Sequence, residues 1–272
     1  MGHIRGEMNI EKLILGAFAG DIIGSVYEAR NSKTMDFKFF VAGSRFTDDS
    51  VLTAATMNAL LYNRNYTETY QEFGQLYPNR GYGGSFNDWI YSKNPKPYNS
   101  WGNGSAMRAS PIGWYCNSID DVLLEAKKSA EVTHDHPEGI KGAQAAAASV
   151  FLARIGKSKA EIKNFIAAQF KYDLDRTIDE IRPAYKFDVS CQGSVPEAII
   201  AFLESTDFEN AIRLAISIGG DSDTIACITG GIAEAFYKSI PDNIIKSVIK
   251  ILEPVLMIDT IVPFSEKFGK RL

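Results

Sequence analysis

Over residues 10–29 the chain sets Gly16, Gly20 and Gly24 at intervals of four, among Leu13, Leu15, Ala17, Phe18, Ile22, Ile23, Val26 and Tyr27. This spacing predicts a helix with one smooth face. Glycine in a helix interior costs about 1 kcal/mol relative to alanine. Close approach of a second helix must offset that cost, so this helix is expected to be central and buried. Asp21 and Glu28 fall within it, and a buried carboxylate needs partners. A similar run of small residues, Gly230-Gly231-Ile232-Ala233-Glu234-Ala235-Phe236, is too short to be a repeat, and shared tight packing accounts for it equally well.

Helical patterns follow over 49–62, 66–77, 106–114, 119–131, 137–155, 159–170, 195–203, 208–216, 225–237 and 241–251. Alternation of β-branched residues never persists beyond a few positions. Residues 30–46 read as irregular, and a long loop around Asp88-Trp89-Ile90 is marked by Gly81-Tyr82-Gly83-Gly84 and Asn94-Pro95-Lys96-Pro97-Tyr98. Loops of that length inside a compact domain are often functional. The expected fold is all-α, a compact orthogonal bundle of many helices forming a single domain over residues 1–272, with 1–9 a flexible N-terminal segment. A hydrophobic share of 45% in 272 residues is enough for the large core this requires.

Net charge is −4 with both signs scattered, so no strong nucleic-acid footprint is present. Cys116, Cys191 and Cys227 stand far apart, which argues for a reducing compartment and against a disulfide framework or a zinc site. Residues 1–8 lack the apolar core of a signal peptide, and no window approaches the roughly 18 apolar residues of a membrane span. A soluble, cytoplasmic monomer without membrane association is expected.

Two clusters carry chemistry. Gly219-Gly220-Asp221-Ser222-Asp223-Thr224 offers two carboxylates and two hydroxyls in front of a small-residue helix. Hard oxygen ligands of this kind suit Mg²⁺, Mn²⁺ or Ca²⁺. Phe46-Thr47-Asp48-Asp49-Ser50 repeats the pattern far upstream. If the clusters face each other, their like charges need cations between them, and two divalent ions would meet that need. Two independent helix caps remain the alternative, because Asp, Ser and Thr are favoured there. Gly102-Asn103-Gly104-Ser105-Ala106-Met107-Arg108 is a glycine-rich loop entering a helix, open to a phosphate or to an ordinary Ser-capped turn. Arg108 could meet a phosphate or pair with a buried carboxylate. Of Thr133-His134-Asp135-His136, His134 is read as a substrate hydrogen-bonder and His136 as structural.

Together with Gly20-Asp21-x-x-Gly24-x-x-x-Glu28, these segments occur in an order that resembles the ADP-ribosylglycohydrolase family. The resemblance runs from about residue 10 to 241. It implies an all-α fold with a binuclear Mg²⁺ or Mn²⁺ centre that cleaves the glycosidic bond at C1″ of ADP-ribose. By motif, Thr47, Asp48, Asp49, Asp221, Asp223 and Thr224 would be metal ligands, and Glu28 a catalytic carboxylate. Asn103, Gly104 and Ser105 match the loop that holds the phosphates and distal ribose, with Met107, Arg108 and His134 also on the substrate side. Asp88 is a second catalytic candidate with a poor local match. Phe86, Trp89, Tyr91 and Tyr98, in the aromatic loop from Tyr82 to Trp101, are expected to wall the adenosine or leaving-group pocket. The rivals are another di-metal hydrolase such as a phosphoesterase, a non-catalytic ADP-ribose-binding module, and an interaction protein whose acidic clusters are only caps.

Overall fold

The computed structural model describes residues 13–269, and among these every regular element is helical. In chain order these are α1 (Gly16–Gly24), α2 (Asp48–Tyr62), α3 (Tyr66–Leu76), α4 (Gly84–Ile90), α5 (Ser110–Tyr115), α6 (Ile119–Glu131) and α7 (Pro137–Arg154). They continue with α8 (Lys159–Phe170), α9 (Ile178–Ile181), α10 (Cys191–Glu204), α11 (Phe208–Ile218), α12 (Ser222–Tyr237) and α13 (Asp242–Ile251). A last helical run comprises Pro254–Leu256, a π turn over Met257–Ile261, and Val262–Phe268. The expected segment 1–9 lies outside the described residues, as do positions 10–12 of the first expected helix. The fold is all-α. No helix among the described residues is long and apolar enough to cross a membrane.

Several boundaries differ from expectation for identifiable reasons. The first helix is shorter than 10–29 because tertiary and side-chain bonds close both ends. Its leading N–H groups, on Leu15 and Gly16, donate to Glu234 Oε1 and Oε2, both at 2.8 Å. Beyond Gly24, Ser25 Oγ donates back to the Ile22 carbonyl and the chain turns away. Glu28 therefore sits on an exposed turn, not in a buried helix. The helix expected over 106–114 begins only at Ser110, where Pro111 takes a first-turn position. The run after Pro254 has no counterpart among the expected helices; Pro254 falls in its first turn, and Pro263 follows directly on the π turn.

The centre of the bundle is the pairing of α1 with α12. A Cβ on Gly16 would lie 2.3 Å from the Gly230 carbonyl oxygen, one on Gly20 2.0 Å from that of Ala226, and one on Gly24 2.5 Å from Asp223 Cα. The two similar small-residue runs are thus the two halves of one contact. The glycine stripe brings backbone against backbone from Gly230 to Asp223, in the first turn of α12.

At the other end Glu234 is fully enclosed, and burial pushes its pKa from 4.5 up to about 7 against the pull of the two N–H donors. A carboxyl whose folded pKa is raised stabilises the fold fully below its unfolded value, near 4.5, and that contribution is lost as pH rises through about 7. Glu234→Gln cannot ionise and is expected to remove this component. The melting-temperature difference between wild type and variant should then shift across that window, and parallel curves would contradict the assignment.

Candidate active site

Thr47 caps α2, its Oγ1 accepting from the Asp49 N–H at 3.3 Å. Behind it, the buried Asp21 of α1 accepts from Thr47 N–H (2.9 Å), Thr47 Oγ1 (2.6 Å), Ser50 N–H (3.1 Å) and Ser50 Oγ. These bonds lock the start of α2 against α1. Asp48 and Asp49 follow, and a Cβ on Gly81 would come within 2.9 Å of Asp48 Oδ1, at a φ of +110° that itself calls for glycine.

The second cluster opens α12 after Gly219 and Gly220, both at positive φ. Asn31 Oδ1 accepts from the Gly220 N–H, and Lys33 Nζ donates to the carbonyls of Arg182, Tyr185 and Ile218, fastening this turn. Asp221 occupies the N-cap position, but its side chain makes no capping bond. Its Oδ2 accepts instead from Asn103 Nδ2 at 2.6 Å.

The two clusters meet. Thr224 Oγ1 donates to Asp49 Oδ1 at 3.3 Å across 175 residues of chain. Carboxylate oxygens of Glu28, Asp221 and Asp223 lie within 4.8 Å of one another. Burial, then repulsion between the carboxylates, pushes Asp48 up to about 8 and Asp49 and Asp223 well above the usual range. Burial also raises Asp221 although Asn103 donates to it, and raises Glu28 with help from the Asp221 charge. Asp49 Oδ2 is buried with no hydrogen-bond partner. An all-oxygen donor set, an orphaned buried carboxylate oxygen and uncompensated like charges fit hard divalent cations such as Mg²⁺ or Mn²⁺.

These groups floor a cavity of about 540 Å³. Thr47, Asp48, Asp49, Asp221, Asp223 and Thr224 all line it, with Glu28 also in its wall. Asn103, Gly104, Met107, Arg108 and His134 line it as well. Ser105 does not: its Oγ donates to the Gly139 carbonyl at 2.7 Å, away from the cavity. Asp88 is exposed on α4 and outside the lining. Within the aromatic loop, Phe86, Tyr98 and Trp101 reach the cavity, whereas Trp89 is packed in the core and Tyr91 faces outward. His136 caps α7, its Nδ1 accepting from the Glu138 N–H, in line with a structural role.

Among the described residues Arg108 meets no carboxylate. It lies 4.3 Å over the Tyr70 ring and donates to the Ser129 carbonyl and to Thr133 Oγ1. Arg45, Arg80, Phe187 and Val189 also line the cavity and escaped the sequence reading. For Phe187 and Val189 no sequence signal was available; only their exposure on a loop beside Asn103 marks them.

The family model described as ADP-ribosylglycohydrolase matches residues 7–262. The chain is similar to the ADP-ribosylhydrolase ARH3 of Homo sapiens, at 28% identity over 87% of each chain. It is also similar to a putative ADP-ribosyl glycohydrolase, L543, of Acanthamoeba polyphaga mimivirus, at 25% identity over 89% of this chain and 91% of that one. A solved structure, of an ADP-ribosylglycohydrolase-related protein complex, shares the fold with a TM-score of 0.72 and 20% identity over 96% of this chain and 99% of its own.

Proposed function

Because this chain belongs to the ADP-ribosylglycohydrolase family, we propose that it is a metal-dependent hydrolase. It cleaves the glycosidic bond at C1″ of ADP-ribose in a modified protein, nucleic acid or small molecule and releases ADP-ribose. The observation that carries this reading is the meeting of Thr47-Asp48-Asp49 with Asp221, Asp223 and Thr224 on the floor of one cavity, beside the Gly102–Gly104 turn. Independent helix caps would not bury mutually repelling carboxylates together, and the Asp221 side chain caps nothing. A degenerate, non-catalytic ADP-ribose-binding module would lack some of these ligands, whereas all six line the cavity. Both halves of the site come from helices of one core, which supports reading the chain as a single domain.

Those six residues would hold two Mg²⁺ or Mn²⁺ ions, which when bound orient a ribose diol and offset charge at the reacting centre. Glu28, on the rim beside Asp221 and Asp223, takes the proton from the attacking water. The glycosidic bond breaks through an oxocarbenium-like state that the surrounding carboxylates stabilise. Asn103 holds Asp221 in place, tying the glycine turn to the acidic floor. Gly104 leaves the backbone open to phosphate oxygens, whereas the N–H groups of Gly102 and Asn103 are taken by Ser100 Oγ and the Val189 carbonyl. Tyr98, Trp101 and Phe187 give the adenosine an aromatic wall.

A panel of arginine-linked, serine-linked, O-acetyl and nucleic-acid-linked ADP-ribose tests the reading. Free ADP-ribose should appear with Mg²⁺ or Mn²⁺ and stop appearing when the metal is chelated. AMP as the product would instead establish a phosphoesterase attacking the pyrophosphate, and turnover indifferent to chelation would remove the metal from the mechanism.

A further inference from the structure

His134 is almost fully buried yet reaches the cavity wall. Its Nδ1 lies 2.7 Å from Thr133 Oγ1. Thr133 Oγ1 also accepts from Arg108 Nη2 at 2.9 Å, so the hydroxyl has one proton left to place. One acceptor in reach is the Ala130 carbonyl, 3.5 Å away and already taking the N–H groups of Thr133 and His134. The other is His134 Nδ1, at a distance where O–H hydrogen bonds are strong. The guanidinium beside the hydroxyl also disfavours a second N–H aimed at the same oxygen. The proton therefore goes to Nδ1.

We propose that Arg108 and Thr133 are positioning residues that fix His134 as the neutral Nε2–H tautomer, a one-way hydrogen-bond donor presented to the cavity. Among the described residues Nε2 finds no hydrogen-bond partner. It lies against the glycine turn, where a Cβ on Gly104 would approach it to 3.1 Å and one on Gly102 to 3.6 Å. Burial, with the Arg108 charge behind it, holds His134 well below its ordinary pKa of 6.5, which disfavours protonation of both nitrogens. The ligand atom that meets Nε2 must then be an acceptor: a phosphate or ribose oxygen, or an adenine ring nitrogen. An ammonium or amide N–H is refused at this point. That the acceptor belongs to ADP-ribose rests on the proposed function; the tautomer does not.

The test is a two-bond ¹H–¹⁵N correlation spectrum of histidine-labelled protein at about pH 7, where neutral tautomers are distinguishable, with His3→Gln and His136→Gln used to assign the three histidines. His134 should show a protonated Nε2 and an unprotonated Nδ1. Thr133→Val keeps the shape but cannot relay the proton, and should lose this single pattern; Thr133→Ser should restore it. ADP-ribose affinity should fall roughly twofold to tenfold in Thr133→Val and recover in Thr133→Ser, the range for one net hydrogen bond. A protonated Nδ1 in the wild type, or an unchanged pattern in Thr133→Val, overturns the relay. The expected pattern in a protein that fails to bind ADP-ribose sustains the relay and counts against the proposed function.

Discussion

Glu28→Gln is expected to reduce turnover by roughly 10²–10⁴-fold, the usual loss when a general base is removed, while the protein keeps its bound metal. Glu28 stands on an exposed turn after α1, beside Asp221 and Asp223 but outside the two helix starts that form the floor. The amide preserves size and cannot accept a proton. Asp223→Ala should behave differently, losing metal and turnover together, because Asp223 lies in the buried floor where the two clusters meet. Metal content measured by elemental analysis, beside ADP-ribose release, separates the two outcomes. Full activity in Glu28→Gln would remove it as the base; metal lost with Glu28→Gln would make it a ligand instead.

The pair of acidic clusters was legible because hard-oxygen chemistry needs several carboxylates and hydroxyls within a turn, and such density is visible in a string of letters. Their meeting was implied by the family resemblance; charge said only that cations would be needed between them if they faced each other. What the letters do not carry is side-chain direction. Asn103 and Ser105 stand two apart in one motif, yet one amide reaches Asp221 while the other hydroxyl turns to Gly139. Asp88 carries the right chemistry on α4, a helix whose Phe86 lines the cavity, but its own side chain is exposed and outside the lining. Partners distant in sequence were equally hidden. Glu234 caps α1 from 219 residues beyond Leu15, and it is this tertiary cap, rather than a local one, that fixes where the helix begins. Nothing in the sequence patterning marked the run after Pro254, in which Pro254 takes the first turn and Pro263 follows directly on the π turn.

Gly20→Ala is expected to destabilise the fold severely, with the site failing as a consequence. In isolation the change should favour the helix by about 1 kcal/mol. The new methyl would lie 2.0 Å from the Ala226 carbonyl oxygen, with Cys227 N at 2.7 Å, so it meets backbone rather than a side chain able to swing aside. Overpacking against yielding neighbours costs about 1–3 kcal/mol, and backbone yields less, so the net change should exceed roughly 2 kcal/mol once the propensity gain is deducted. Relief requires α1 and α12 to separate. Asp21 and the start of α2 that it holds would move with α1, while Asp223 and Thr224 belong to α12. Denaturant unfolding and metal titration should therefore decline together, in contrast to Glu28→Gln, which leaves both intact. A Gly20→Ala protein with wild-type stability would mean that the close α1–α12 contact does not set the distance between the two halves of the site.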